Sequence, residues 1–185
     1  MNNKNILLLA AVILVIAGYL VIKSSDVREK VPVEVVPSEV SFDPRNASYI
    51  IDGLSITLVD GVSEVEAAPG SASKIVTRYF GNEAVGDLNG DGRDDTVYLL
   101  SHSTGGSGLF YYAVAVLNKV DGYKVTNTFF VGDRISPQST NIISSEIHVN
   151  FAERKPGEPM TVDPSQGAVL LLKVTSEDVL NGLMQ

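Results

Sequence analysis

From residue 48 onward, apolar and polar positions alternate with a period of two, the spacing of a strand with one face buried and one wet. Residues 49–51 and 54–59 flank Asp52-Gly53, and Asp60-Gly61 leads into residues 62–67, so this stretch predicts a hairpin extended into a small meander. Residues 74–80 carry β-branched and aromatic side chains and predict a further strand. The same signals recur at 96–101, 110–117, 123–131, 142–143, 146–151 and 168–175, separated by turns that bear Gly or Asp. Residues 153–167, with Pro156, Pro159 and Pro164, predict an irregular loop, and Ser176 at the head of 176–185 reads as the N-cap of a short terminal helix. Short strands in series predict an all-β domain, an antiparallel sandwich or curled meander sheet over residues 48–176, followed by a C-terminal tail at 177–185. No fixed-period repeat is visible, so a propeller is not expected.

The N-terminal pattern differs in kind. Residues 6–22 are an uncharged, almost wholly apolar run of 17 after the short polar tail 1–5. That length sits at the short end of a membrane-spanning helix, about 17–25 residues, and exceeds a usual signal-peptide core of about 7–15. The reading is one N-terminal transmembrane helix acting as an uncleaved signal anchor, with a cleaved signal peptide as the alternative. Residues 23–47, with Pro32, Pro37 and Pro44 among scattered charges, predict an extended linker between membrane and domain. Lys23, Arg28 and Lys30 after the apolar run favour, taken alone, a cytoplasmic C-terminal part. Asp26 and Glu29 interleave them, and the loop chemistry below makes sense only outside the cell, so the domain is expected to be extracytoplasmic, in a periplasm or on a cell surface.

Composition removes several function classes. The net charge of −8 argues against a nucleic-acid surface, which would be basic. The absence of cysteine removes disulfides, thiolate zinc sites and cysteine nucleophiles.

One stretch carries residue types and spacing that imply chemistry. Between residues 87 and 95, oxygen side chains fall at loop positions 1, 3, 5 and 9 as Asp87, Asn89, Asp91 and Asp95, with Gly92 at position 6. Alternate residues of a tightly curled loop turn their side chains inward together, which suits Ca²⁺ and its demand for six to eight hard oxygens. Gly92 permits the sharp turn, and the ligand at position 7 is a backbone carbonyl, here that of Arg93. The same Asn-Gly and Asp-Gly dipeptides also make a polar hairpin turn that needs no metal. Against that reading, Asp87, Asp91, Asp94 and Asp95 would crowd together with only Arg93 to offset them.

The stretch resembles the loops of EF-hands, dockerins, thrombospondin type 3 repeats and, most closely, FG-GAP or VCBS-type repeats, in which the loop runs into a strand. That resemblance implies Asp87, Asn89, Asp91, the Arg93 carbonyl and Asp95 as Ca²⁺ ligands, with Asp94 in place of Asp95 if the loop shifts. The bidentate Glu of an EF-hand would fall on Tyr98, so a helix-flanked EF-hand is not expected. Over residues 49–174 the chain is also similar to a group of bacterial membrane-anchored proteins that share four stretches, present here at 86–92, 104–112, 132–134 and 154–160. This second resemblance brings no activity with it.

Other candidates are weaker. Ser71 and Lys74 match the S-x-x-K spacing of penicillin-binding proteins but lack the companion motifs, so coincidence is the better reading. The Gly-rich stretch 104–108 lacks phosphate-loop spacing, and His102 and His148 have no second nitrogen ligand at metal spacing. His148 falls on the wet face of its strand, opposite Ile147 and Val149. Arg134, Arg154 and Lys155 are the candidate partner surface, since Arg side chains suit carboxylates, with ordinary surface ion pairing as the alternative. The functional expectation is a membrane-anchored, non-catalytic binding or envelope-associated module with a protein or envelope-polymer partner. The alternative is a hydrolase of envelope polymers, working through paired carboxylates of the 87–95 region or Glu153 and Glu158.

Overall fold

The computed structural model describes residues 41–183, so the tail 1–5, the apolar run 6–22 and most of the linker lie outside the described residues. Within them the fold is all-β, twelve strands in three antiparallel sheets. A two-stranded hairpin pairs β1 (Ser48–Ile51) with β2 (Leu54–Thr57). The largest sheet runs β3 (Val62–Glu66), β4 (Lys74–Gly86), β5 (Asp95–Ser103), β6 (Phe110–Lys119), β7 (Gly122–Val125), with β8 (Phe129–Asp133) also on β6. The third has the order β12 (Leu180–Gly182), β11 (Gln166–Val174), β10 (Glu146–Glu153), β9 (Ser136–Ile143).

Burial explains why β5 and β6 carry near-continuous apolar runs in place of strict alternation. Val97 and Leu99 on β5, with Ala113, Ala115 and Leu117 on β6, pack in one cluster with Ile147, Val149, Leu172 and Leu180 of the third sheet. The alternate residues Tyr98, Leu100, Tyr112, Val114 and Val116 pack in a second cluster with Tyr49, Ile51 and Ile56 of the hairpin. The central pair is therefore covered on both faces, and a strand with no wet face has no polar positions to show. The Tyr98 hydroxyl, buried here, hydrogen-bonds the Tyr49 hydroxyl at 2.9 Å, and Tyr49 donates to the Pro44 carbonyl at 2.6 Å. Residues 41–47 thus fold onto the hairpin, with Pro44–Asn46 as a 3-10 turn.

Several elements differ from the sequence expectation. Asp52-Gly53 and Asp60-Gly61 do form turns with both residues left-handed. Ser144-Ser145 joins β9 to β10 in the same conformation, φ 52° and 62°, without any glycine to mark it. The strand expected to end at residue 80 continues to Gly86, crossing two register shifts around Gly81 and Asn82. The strand expected over 123–131 is two, because Thr126 turns its hydroxyl onto the Ala115 amide (3.1 Å) where β7 leaves β6 and β8 joins it farther along. In place of a terminal helix, Ser176 lies in a turn with Asp178 left-handed at φ 61°, and the chain returns as β12 with Leu180 fully buried. Lys119 and Lys124 both hold the Asp178 carboxylate, at 2.7 and 2.9 Å, which favours that turn over a helix start.

Candidate metal loop

The ladder places Gly86 opposite Asp95, so residues 87–94 form the closed end of the β4–β5 hairpin. Two buried residues fix the loop to the domain. Leu88 is 1% exposed within the first core cluster, and Asp95 is 0% exposed. Asp95 accepts hydrogen bonds from the Leu88 amide (3.0 Å) and the Asn118 amide (2.9 Å), one on each oxygen, and so ties the loop to the end of β6. Burial pushes its carboxyl up from the usual range, and these two amides oppose that shift.

The exposed part winds around its own backbone. Asp87 accepts from Gly90 N–H (2.7 Å) and Gly92 N–H (3.0 Å), Asn89 from Asp91 N–H (2.9 Å), and Asp91 from Arg93 N–H (3.0 Å). Gly90 and Gly92 sit at φ +79° and +80°, and a Cβ on either would meet nothing within 4 Å. Their glycine requirement is therefore one of backbone conformation rather than space. The amides, Gly92 foremost, hold the Asp87 carboxyl below its usual range, so it stays charged at neutral pH. Ser145 adds a bond to the Asp87 carbonyl at 2.9 Å from the β9–β10 turn.

Oxygens at positions 1, 3 and 5 thus share one curled segment, whose donor chemistry fits a hard cation. The set is thinner than the sequence expectation, however. Among the described residues no three His, Cys, Asp or Glu side chains converge into a metal-holding group. Asp95 is fully buried, Asp94 is exposed, and Arg93 lies 3.5 Å from Asp91 through Nη1.

The remaining candidates fall elsewhere. Arg134 and Arg154 are brought together, Arg154 Nη1 donating to the Arg134 carbonyl at 2.8 Å, and Lys155 next to them is exposed. Arg134 is paired with Asp133 at 2.5 Å, which depresses the Asp133 carboxyl. Arg154 also donates to the Val162 carbonyl, so it straps the 154–165 loop to the corner after β8. Lys74 pairs with Glu64 rather than with Ser71. His148 is half-buried on the face away from the core, while His102 is only 3% exposed, bonded through Nδ1 to the Thr77 hydroxyl at 2.8 Å. Glu158 accepts from the Lys155 amide at 3.0 Å.

Sequence reading missed a cluster that no spacing announces. Arg45 lies over the Tyr79 ring, 5.3 Å to its centre, and the Tyr79 hydroxyl bonds Glu83, beside a cleft at the bend of β4. The pairing of these elements, not local sequence, assembles it. No family model matches this chain, and neither a curated protein nor a solved structure matches it.

Proposed function

We propose that this chain is a membrane-tethered, extracytoplasmic and non-catalytic β module whose 87–95 loop takes Ca²⁺ as a structural ion. The observation that carries the reading is the winding of Asp87, Asn89 and Asp91 onto successive amides around two left-handed glycines, which turns alternate oxygens to one segment. Asp87, Asn89, Asp91 and the Arg93 carbonyl would hold the ion, with water completing the shell. Asp95 serves as the buried anchor that fixes the loop's far end. A divalent charge there would neutralise Asp87 and Asp91 and stiffen the hairpin end. So few protein carboxylates imply weak affinity, on the order of 10⁻⁴–10⁻³ M as in extracellular modules. The loop runs directly into β5, which favours an FG-GAP or VCBS-type loop over a helix-flanked one.

The extracytoplasmic placement rests on the apolar run 6–22 and on this affinity, which suits millimolar calcium. Among the described residues no helix is long and apolar enough to cross a membrane, so the anchor rests on sequence alone. The hydrolase alternative is not favoured. Of the carboxylates that alternative would use, Asp95 is sealed and Glu158 is engaged by the backbone, so neither is a free acid or base.

Calcium titration of the Val40–Gln185 unit tests the reading. At about 10 mM Ca²⁺ the melting temperature should rise by about 4–10 °C through binding linkage, and Asp91→Ala should abolish the rise. Wild type and variant melting alike at all calcium levels would contradict the metal assignment. A C-terminal topology reporter that is active only in the cytosol would contradict the localisation.

A further inference from the structure

We infer that Lys119 sets the cation affinity of the 87–95 loop, as a resident positive charge that an incoming divalent ion must approach, with Asp178 as the group that restrains it. Lys119 thereby regulates the metal site proposed above, and its role rests on that reading. Its placement comes from the β5–β6 ladder. The Asn118 amide bonds the Asp95 carboxylate at 2.9 Å, so Lys119 is the next residue beyond the loop's buried anchor. Side chains alternate across a strand, and Leu117, two residues before Lys119, packs in the first core cluster with Leu88 of the loop and with Val174 and Leu180 of the third sheet. Lys119 therefore leaves β6 on the side where the loop meets the β11–β12 corner. A groove of about 460 Å³ opens there, lined by Asn89 and Asp91 of the loop together with Lys119, Lys173 and Asp178.

The charges in that groove are partly withdrawn from water. The Lys119 ammonium meets Asp178 at 2.7 Å, and the two side chains are 28% and 17% exposed. The other Asp178 oxygen meets Lys124 at 2.9 Å, so two ammoniums share one carboxylate and one positive charge is left uncompensated. The Asp91 side chain is itself only 27% exposed, and partly buried charges are screened less than those in open solvent. Asp178, with Asp91 and Asp95 adding to it, holds the Lys119 ammonium above the ordinary lysine range. The lysine thus already answers part of the loop's negative charge. A divalent ion held by Asp87 and Asp91 would meet its repulsion. Arg93, the other cation beside Asp91, belongs to the loop itself, whereas Lys173 is exposed on the same groove and serves as an internal control.

The test is amide chemical-shift titration of the Val40–Gln185 unit with calcium chloride at low ionic strength, read at Gly90 and Gly92, with the melting temperature without calcium as the measure of folding. Lys119→Met keeps the stem and removes the charge, and should tighten calcium binding about three- to tenfold, the scale on which one charge acts on a divalent ion through part-buried protein. Lys119→Arg should bind as the wild type does. Asp178→Asn removes the restraining carboxylate and should weaken binding at least about threefold; asparagine suits the left-handed backbone there, φ 61°. Lys173→Met should change the affinity by less than about twofold, because its charge is screened by solvent. The gain in Lys119→Met should shrink at about 0.5 M sodium chloride. Unchanged or weaker binding in Lys119→Met, an equal gain in Lys173→Met, or like behaviour of the Met and Arg variants would overturn the inference. The wild type would still take up calcium in each of these cases, so the metal reading would stand. No calcium response in any of the proteins would overturn both.

Discussion

The β5–β6 pair and the 87–95 loop meet at Asp95, the last residue of one and the first of the other, yet different forces hold them. In the pair, residues 97–100 and 113–115 are at 0% exposure, and both faces are sealed by apolar contact. In the loop only Leu88 and Asp95 are buried, and the conformation follows from hydrogen bonds to backbone amides and from two left-handed glycines. Hydrophobic burial is insensitive to which apolar residue supplies it, within limits of volume, whereas the loop depends on particular oxygens at particular positions. The scaffold should therefore respond to lost volume and the loop to lost acceptors, and substitutions can separate the two.

The largest effect is expected in the pair. Leu99→Ala should lower unfolding free energy by about 2–5 kcal/mol in denaturant titration, since it leaves a cavity between two covered faces. A loss well below that range would mean the sheets close over the gap. Next comes the junction, where Asp95→Ala leaves two amides, those of Leu88 and Asn118, without their acceptor. It should cost about 2–3 kcal/mol, and Asp95→Asn, which keeps one acceptor oxygen, should cost less. Equal costs for the two would break the claim that Asp95 acts as an amide acceptor. Gly92→Ala should cost about 1–2 kcal/mol, entirely through its positive φ because the space around it is open.

The smallest effects are those of pH. Burial holds His102 below its ordinary value, partly offset by Asp52, so the neutral ring favours the fold. Its contribution is full above about pH 6.5 and is lost as pH falls through the depressed folded value. Asp87, held down by the loop amides, and Asp178, held down by Lys119 and Lys124, contribute fully above about pH 4 and lose that contribution at lower pH. Thermal melts from pH 8 to 3 should show two successive declines, and His102→Gln should remove the first alone.

Much of this was legible in the sequence, and the exceptions have physical causes. The central strands and the Asp-Gly hairpin turns declare themselves through apolar runs and left-handed dipeptides. Only the end of β9, residues 142–143, showed in the sequence, because it is an edge strand, mostly wet, with Pro137 inside it, and such a pattern lacks the alternation a half-buried strand shows. Ser176 looked like a helix cap because the lysines that stabilise the Asp178 turn come from distant β6 and β7. The loop was readable as a spacing, but the inward turn of Asp95 depends on the Asn118 amide, which only the β5–β6 pairing supplies. Arg45 and Tyr79 meet for the same reason, through the Asp60-Gly61 turn, whose Gly61 bonds the backbone of both.

Amide chemical shifts of the Val40–Gln185 unit during calcium titration test the central claim most directly. The account predicts saturable movement confined to Gly90, Asp91, Gly92 and Arg93, with little change in the amides of β5 and β6. Shifts absent up to about 10 mM Ca²⁺, ten times the weakest affinity expected of such a site, would contradict it.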